Sequence, residues 1–135
     1  MLSPSITDNA VVIIGVREAS SNGIYEIPST IGGKKVVAVM NEAFCSEDIK
    51  NTVNQVIIPE TVKTINYSAF GKCYNLTDLY IKGEAVGCPS TFLPDVDKRN
   101  HSITIHASAT CHNRNFYTYK TLCSYWNVTF KEWNG

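Results

Sequence analysis

At 135 residues, with 44% apolar and 18% charged side chains, the chain is the size of one domain. Such a domain buries roughly 68% of its unfolded surface, which excludes a disordered or fibrous polymer and removes the need for a metal or disulfide to hold a core. Twelve basic residues balance twelve acidic ones, so no concentrated excess of Lys and Arg is available for phosphate backbones, and nucleic acid is not an expected partner.

The first element is the apolar run Ala10 to Val16. It is too short to cross a bilayer and too weakly flanked for a signal peptide, so it is expected to be a buried strand. The missing leader fits a cytosolic protein equally with a mature or truncated chain that begins at an added Met1.

Two stretches then answer each other. Ile27-Pro28-Ser29-Thr30-Ile31 matches Ile58-Pro59-Glu60-Thr61-Val62, and Val39-Met40-Asn41-Glu42-Ala43-Phe44 matches Ile65-Asn66-Tyr67-Ser68-Ala69-Phe70. After the second copy come Cys73, Leu76 and a new apolar run, Leu79-Tyr80-Ile81. The step from Ile58 to Ile81 is 23 residues and that from Ile27 to Ile58 is 31. The shorter step is a leucine-rich-repeat length, and the longer is read as the same unit with extra residues at Gly32-Gly33-Lys34-Lys35 and around Ser46 to Asn54.

These residues resemble the BspA-type leucine-rich repeat family, whose unit runs approximately Ile-Pro, two residues, Val, two residues, Ile, three residues, Ala-Phe, two residues, Cys, two residues, Leu. Residues 58 to 81 keep Ile58, Pro59, Val62, Ile65, Ala69, Phe70, Cys73, Leu76, Leu79 and Ile81. The first copy lacks Cys at the expected place, with Cys45 directly after Phe44. Tyr25 to Val39 resembles an opening repeat of such proteins. Ile103-Thr104-Ile105 with Tyr119-Lys120 and Trp126 resembles their closing segment.

The resemblance implies a β-rich leucine-rich-repeat solenoid, a right-handed superhelix of short parallel strands with a helical or irregular C-terminal cap. The expected layout is one domain over 1–135: an opening repeat at 10–55, a regular repeat at 56–80, an irregular insertion at 81–102, and a terminal strand and cap at 103–135. In such a stack equal repeat positions lie over one another. Ile27, Ile58, Ile81 and Ile105 are expected to form one ladder, with Tyr25, Val56, Leu79 and Ile103 on the same face two residues earlier. Val39 and Ile65 are expected to form a second ladder, with Phe44 and Phe70 beneath it. Pro28 and Pro59 end the first strands, because proline cannot donate to a ladder. Pro89, Pro94 and Asp95-Val96-Asp97 suggest a loop, and the aromatic tail from Phe116 to Trp133 suggests a lid on the last coil.

Chemistry-bearing residues each have a bland reading that is preferred. The five cysteines, Cys45, Cys73, Cys88, Cys111 and Cys123, are odd in number and form no CxxC pair. Mostly reduced, buried thiols are expected, with one disulfide among Cys88, Cys111 and Cys123 as the alternative in a secreted protein. Cys73 reads as a core residue and not a nucleophile, which would need a base or positive neighbour. Cys111 and His112, with Cys88, His106 and Cys123, lack the two close ligand pairs of structural zinc. His101, His106 and His112 accompany no G-x-S-x-G elbow and no H-E-x-x-H helix. Asp95, Asp97 and Asn100 lack the central Gly and distal Glu of a calcium loop. Sequons at Asn66, Asn75, Asn100 and Asn127 matter only in a secreting eukaryote.

No catalytic residue, cofactor site or metal site is therefore expected. The informative surface is the exposed strand face, with Glu26, Ile57, Tyr80 and Thr104 in one row. Ile24, Gln55, Asp78 and Ser102 form the other. Ile57 and Tyr80 among polar neighbours have the chemistry of a contact patch, so Glu26, Ile57, Tyr80, Thr104, Gln55 and Asp78 are the expected binding residues. By resemblance, the function is a non-catalytic, adhesin-like protein-interaction module, extracellular or at the cell surface, with an extracellular-matrix or host surface protein as partner. The alternative is a carbohydrate-binding or targeting appendage, using Tyr117, Tyr119 and Trp126 for sugar stacking. A Cys-His enzyme ranks third.

Overall fold

The computed structural model describes residues 2–6, 10–16, 21–84, 87, 89–94 and 101–135. Cys88, the acidic pair Asp95 and Asp97, and Asn100 lie outside the described residues, so the readings placed on them rest on sequence alone.

Two sheets carry the fold. The first contains β1 (Leu2–Ile6), β2 (Ala10–Val16), β4 (Thr30–Ile31), β5 (Lys34–Val39) and β7 (Thr64–Ile65) in the order β1-β2-β5-β4, with β7 also paired to β5. The second is all parallel and contains β3 (Ile24–Glu26), β6 (Gln55–Ile58), β8 (Asp78–Ile81), β9 (Ile103–Ala107) and β10 (Val128–Glu132), in the order β10-β9-β8-β6-β3. Two helices, α1 (Ala109–Arg114) and α2 (Phe116–Tyr125), connect β9 to β10.

The expected leucine-rich-repeat solenoid is corrected by the first sheet, which is mixed. Strand β1 runs antiparallel to β2, and β4 runs antiparallel to β5. The second of these pairings follows from Gly32 and Gly33, whose φ values of 58° and 78° suit a two-residue hairpin turn that only glycine enters without strain. What looked like extra residues in a repeat is a hairpin. The architecture is a two-sheet β-rich fold with a helical connection.

Within that frame the repeated residues do meet. Ile58 pairs with Ile81, Val56 with Leu79, and Val39 with Ile65, all in parallel register. The Glu42 and Ser68 backbones, at matching places in the two copies, both adopt positive φ, 62° and 55°. Glu42 N–H donates to the Ser68 carbonyl at 3.1 Å, and Phe44 N–H to the Ala69 carbonyl at 3.2 Å. Each turn is thus hydrogen-bonded to the next, which satisfies backbone groups that burial would otherwise leave unpaired.

One ladder differs from expectation. Strand β9 sits two residues along, so Leu79 faces Ile105 and Tyr80 faces His106, where Ile81 opposite Ile105 and Tyr80 opposite Thr104 were anticipated. A two-residue slip keeps every side chain on its face, because the strand period is two. Ile103 and Ile105 stay fully buried, and the hydrophobic pattern cannot distinguish the two registers.

A single core fills the molecule. Val11, Ile13, Val36 and Val39 come from the first sheet, and Val56, Ile58, Leu79, Ile81 and Ile105 from the second. Through it runs a series of rings: Tyr25 to Phe44 at 5.7 Å, Phe44 to Phe70 at 5.0 Å, and Phe70 to Phe92 at 6.3 Å between centroids. Phe92 belongs to the segment expected to be an irregular insertion. Its 3-10 turn, Ser90–Phe92, delivers Phe92 and Leu93 to the core, and Phe70 N–H donates to the Phe92 carbonyl at 3.0 Å.

Beyond β9, Ser108 caps α1 by accepting from Cys111 N–H at 3.0 Å, the usual way a hydroxyl satisfies a free helix-end donor. Tyr119 and Leu122 of α2 are buried, while Trp126 and Phe130 pack against the core from its edge. Sequence reasoning anticipated an aromatic cap but not β10, which adds a fifth parallel strand. No helix among the described residues is long and apolar enough to cross a membrane.

Candidate functional site

The parallel sheet presents one face to solvent, built by simple alternation: Val56, Ile58, Leu79 and Ile81 point inward, and Gln55, Ile57, Asp78 and Tyr80 point outward. The observed register sets two outward rows. Ile24, Gln55, Asp78, Thr104 and Thr129 form one; Glu26, Ile57, Tyr80, His106 and Lys131 form the other. Thr104 therefore leaves the Tyr80 row, and His106 takes its place.

That exchange has a physical cause. The His106 imidazole lies flat on the Tyr80 ring, at 4.1 Å between centroids and 6° between planes. Its Nε2 contacts Asp78 Oδ1 at 2.8 Å, so Nε2–H donates to the carboxylate. Neither contact exists in the unshifted register. A stacked pair and a carboxylate hydrogen bond each favour the slip. Asp78, expected to bind a partner, is thus occupied internally, and its Oδ2 accepts from Thr77 Oγ1 at 2.9 Å.

At the end of β10 the chain crosses this face. Trp133 N–H donates to the Ala107 carbonyl at 2.8 Å, which sets the indole edge-on to Tyr80 at 5.2 Å and 70°. The result is a pocket of about 340 Å³ lined by Ile24, Gln55, Ile57, Tyr80, Lys82, Trp133 and Gly135. Of the six expected binding residues, Gln55, Ile57 and Tyr80 line it. Glu26 lies exposed on β3, at the end of the Ile57–Tyr80 row, and Thr104 lies in the other row.

No family model matches the chain. No curated protein and no solved structure is significantly similar to it either.

Sequence reasoning missed Lys82, Trp133 and His106 as members of this face. For Lys82 the signal was present, since it follows Tyr80 by two residues and so shares its face. For Trp133 the signal was the apolar-polar alternation of Val128-Thr129-Phe130, overlooked because Trp126 was taken as the closing aromatic. For His106 nothing in the chain pattern signals the slip.

A second, larger and more open cleft of about 430 Å³ lies beside the first sheet, with Ile14, Val16, Glu42, Cys45, Ser46 and Lys72 around it. Burial pushes the Cys45 thiol up, against weaker opposing effects from nearby backbone N–H groups, and its Sγ donates to the Ser68 carbonyl at 3.5 Å. A nucleophile needs the opposite shift. The sheet-face pocket, smaller but walled by aromatic and branched side chains, has the better binding chemistry.

The remaining candidates fall to structural roles. Burial pushes the Cys73 thiol far above its ordinary value, and Cys73 Sγ donates to the Phe44 carbonyl at 3.2 Å. Cys111 contacts the Tyr119 hydroxyl at 3.7 Å. His112 packs in an aromatic cluster with Tyr119 and Phe130, at 5.2 and 4.4 Å, and His101 Nε2 meets the Leu76 carbonyl at 2.8 Å. Among the described residues no group of His, Cys, Asp and Glu is arranged to hold a metal ion.

Of the four described cysteines, under native conditions at neutral pH, a thiol reagent should modify exposed Cys123 first and half-buried Cys45 slowly, while buried Cys73 and Cys111 react only on unfolding. Mass-mapped labelling checks this order. Rapid modification of Cys73 in the folded protein would contradict the buried, hydrogen-bonded placement.

Proposed function

We propose that this chain is a non-catalytic protein-binding module that takes its partner on the outward face of the parallel sheet. The observation that carries the reading is the pocket where Ile24, Ile57, Tyr80 and Trp133 converge. Tyr and Trp are the side chains that most often dominate interface energy, and concave apolar pockets are where they do so. The lack of catalysis belongs to the same reading. His106 is bonded to Asp78 and stacked on Tyr80, and no hydroxyl or thiol among the described residues is hydrogen-bonded to it. An extracellular or cell-surface setting, with a matrix or host surface protein as partner, is proposed on the resemblance of residues 58–81 to the repeats of surface proteins.

A carbohydrate-binding role through the cap is less well supported. Tyr119, one of its three aromatics, is only 1% exposed, and Trp126 is half-buried, so of the three only Tyr117 is open to a sugar.

The test is capture of extracellular-matrix proteins by the immobilised chain, measured against Tyr80→Ala and Ile57→Ala. Removing Tyr80 should weaken capture by about thirtyfold or more, the loss of about 2 kcal/mol typical of a central interface aromatic, with folding intact by circular dichroism. Capture that is equal in wild type and Tyr80→Ala would place the interface elsewhere.

A further inference from the structure

The second helix, α2, exposes rings that the core does not take up. Its buried side is set by Tyr119 and Leu122. At about 3.6 residues per turn, the opposite side carries Tyr117, Lys120 and Ser124, bordered by Phe116 and Tyr125, and all five are exposed. Six large hydrophobic side chains are exposed among the described residues, and three of them stand on this one ten-residue helix: Phe116 at 49%, Tyr117 at 81% and Tyr125 at 77%. None of the three lines the sheet-face pocket or the cleft beside the first sheet. The charge along this part of the chain has one sign, since no acidic residue occurs between Asp97 and Glu132. Arg114, at the end of α1, and Lys120, in the middle of α2, are exposed. Among the described residues neither is ion-paired or hydrogen-bonded through its side chain.

We propose that the exposed side of α2 seats the protein on an anionic lipid bilayer, with Phe116, Tyr117 and Tyr125 entering the headgroup layer and Arg114 and Lys120 meeting its phosphates. Tyr suits that depth, because its ring is apolar and its hydroxyl stays wet. Arg and Lys suit it too, since their stems lie along apolar surface while the charged ends remain among the headgroups. Charge complementarity selects an anionic surface over a neutral one. The rings project from a helix and do not line a hollow; a fluid headgroup layer closes around projections, whereas a folded partner would need matching pockets. A single nucleic-acid strand could stack on the same rings, but two cations fall short of the concentrated positive charge that a phosphate backbone requires. Tyr119 and Leu122 hold the other side of α2 in the core, so the seat is shallow and peripheral.

The test is co-sedimentation of the full chain with vesicles of phosphatidylcholine, alone or with phosphatidylglycerol as a third of the lipid. Binding to the anionic vesicles should be about 25-fold tighter at low salt, with each of the two cations contributing about fivefold. Lys120→Gln should weaken that binding about fivefold at low salt and little at high salt, where the charge is screened, and Lys120→Arg should keep it. Tyr117→Ala should weaken it about fivefold at both salt levels, as expected for a partly buried ring. Both positions are exposed, so circular dichroism should show the fold intact. Cys123 lies one turn beyond Lys120 and is exposed, so anionic vesicles should also slow its modification by a water-soluble thiol reagent. Equal binding to the two kinds of vesicle, binding that Lys120→Gln leaves unchanged, or a Cys123 rate that vesicles do not alter would overturn the proposal. Absence of vesicle binding together with capture of an oligothymidine that Tyr117→Ala weakens would overturn it in favour of a single nucleic-acid strand.

Discussion

Phe70→Ala should cost about 3–5 kcal/mol of folding stability, the range for truncating a fully buried aromatic. Phe70 is 0% exposed and sits between Phe44 and Phe92, at centroid distances of 5.0 and 6.3 Å. Its removal leaves a void that neither neighbour can close. Phe44 is tied by its N–H to the Ala69 carbonyl, and the Phe92 carbonyl accepts from residue 70 itself, so both rings are held by backbone the substitution does not move. Since a domain is stable by only about 5–15 kcal/mol in total, the variant should lose a large part of its margin. A urea titration checks this, with a lower midpoint and an unchanged slope. Phe116→Ala is the control. Its ring is 49% exposed, and truncation there should cost about 0.5 kcal/mol or less. A Phe70→Ala variant that loses under 1 kcal/mol would mean the ring series is not packed as described.

The sequence makes the ring series partly legible. Phe44 and Phe70 occupy matching places in the two copies, and their stacking follows from that spacing. Phe92 was hidden because its neighbours, Pro89 and Pro94, read as a loop, although a loop that supplies a core ring is still held by that ring. The two strands of the clearest repeat, β6 and β8, pair as the 23-residue step suggests. The overall architecture was misread for a local reason: Gly32-Gly33 between short apolar runs is a hairpin signal, and treating it as an insertion concealed the antiparallel pair that makes the first sheet mixed. At the site, alternation placed Gln55, Ile57 and Tyr80 correctly on the open face. It could not place His106 against Tyr80, because that choice is made by a ring stack and a hydrogen bond to Asp78 between side chains 26 and 28 residues apart. Patterns of hydrophobicity specify faces; they do not specify which of two same-face registers wins.

Gly23→Ala is expected to be the second most damaging single change, and the damage should fall on the binding face. Gly23 has φ of 77°, and a Cβ built there would overlap the Asn54 side chain and lie 2.9 Å from the Thr52 carbonyl oxygen. The left-handed backbone costs an alanine roughly 1–2 kcal/mol by itself. The Asn54 side chain can swing aside, but the Thr52 carbonyl is backbone and cannot, so a total of about 2–4 kcal/mol is expected, within the range for a backbone-incompatible substitution. The Gly23 carbonyl accepts from both Asn54 N–H and Gln55 N–H, at 2.9 and 3.1 Å, and these bonds start the pairing of β3 with β6. Displacing them carries Ile24 away from Gln55 and Ile57 and opens the pocket wall. Gly32→Ala separates strain from collision, because its φ is also positive, 58°, but nothing lies within 4 Å of the added carbon. It should cost only the conformational part, about 1 kcal/mol, and leave the sheet face intact. Hydrogen exchange at Ile24, Tyr25 and Gln55 reads the difference directly: faster in Gly23→Ala, unchanged in Gly32→Ala. Equal stability and equal exchange in the two variants would show that the close approach of Gly23 to Thr52 does not hold β3 against β6.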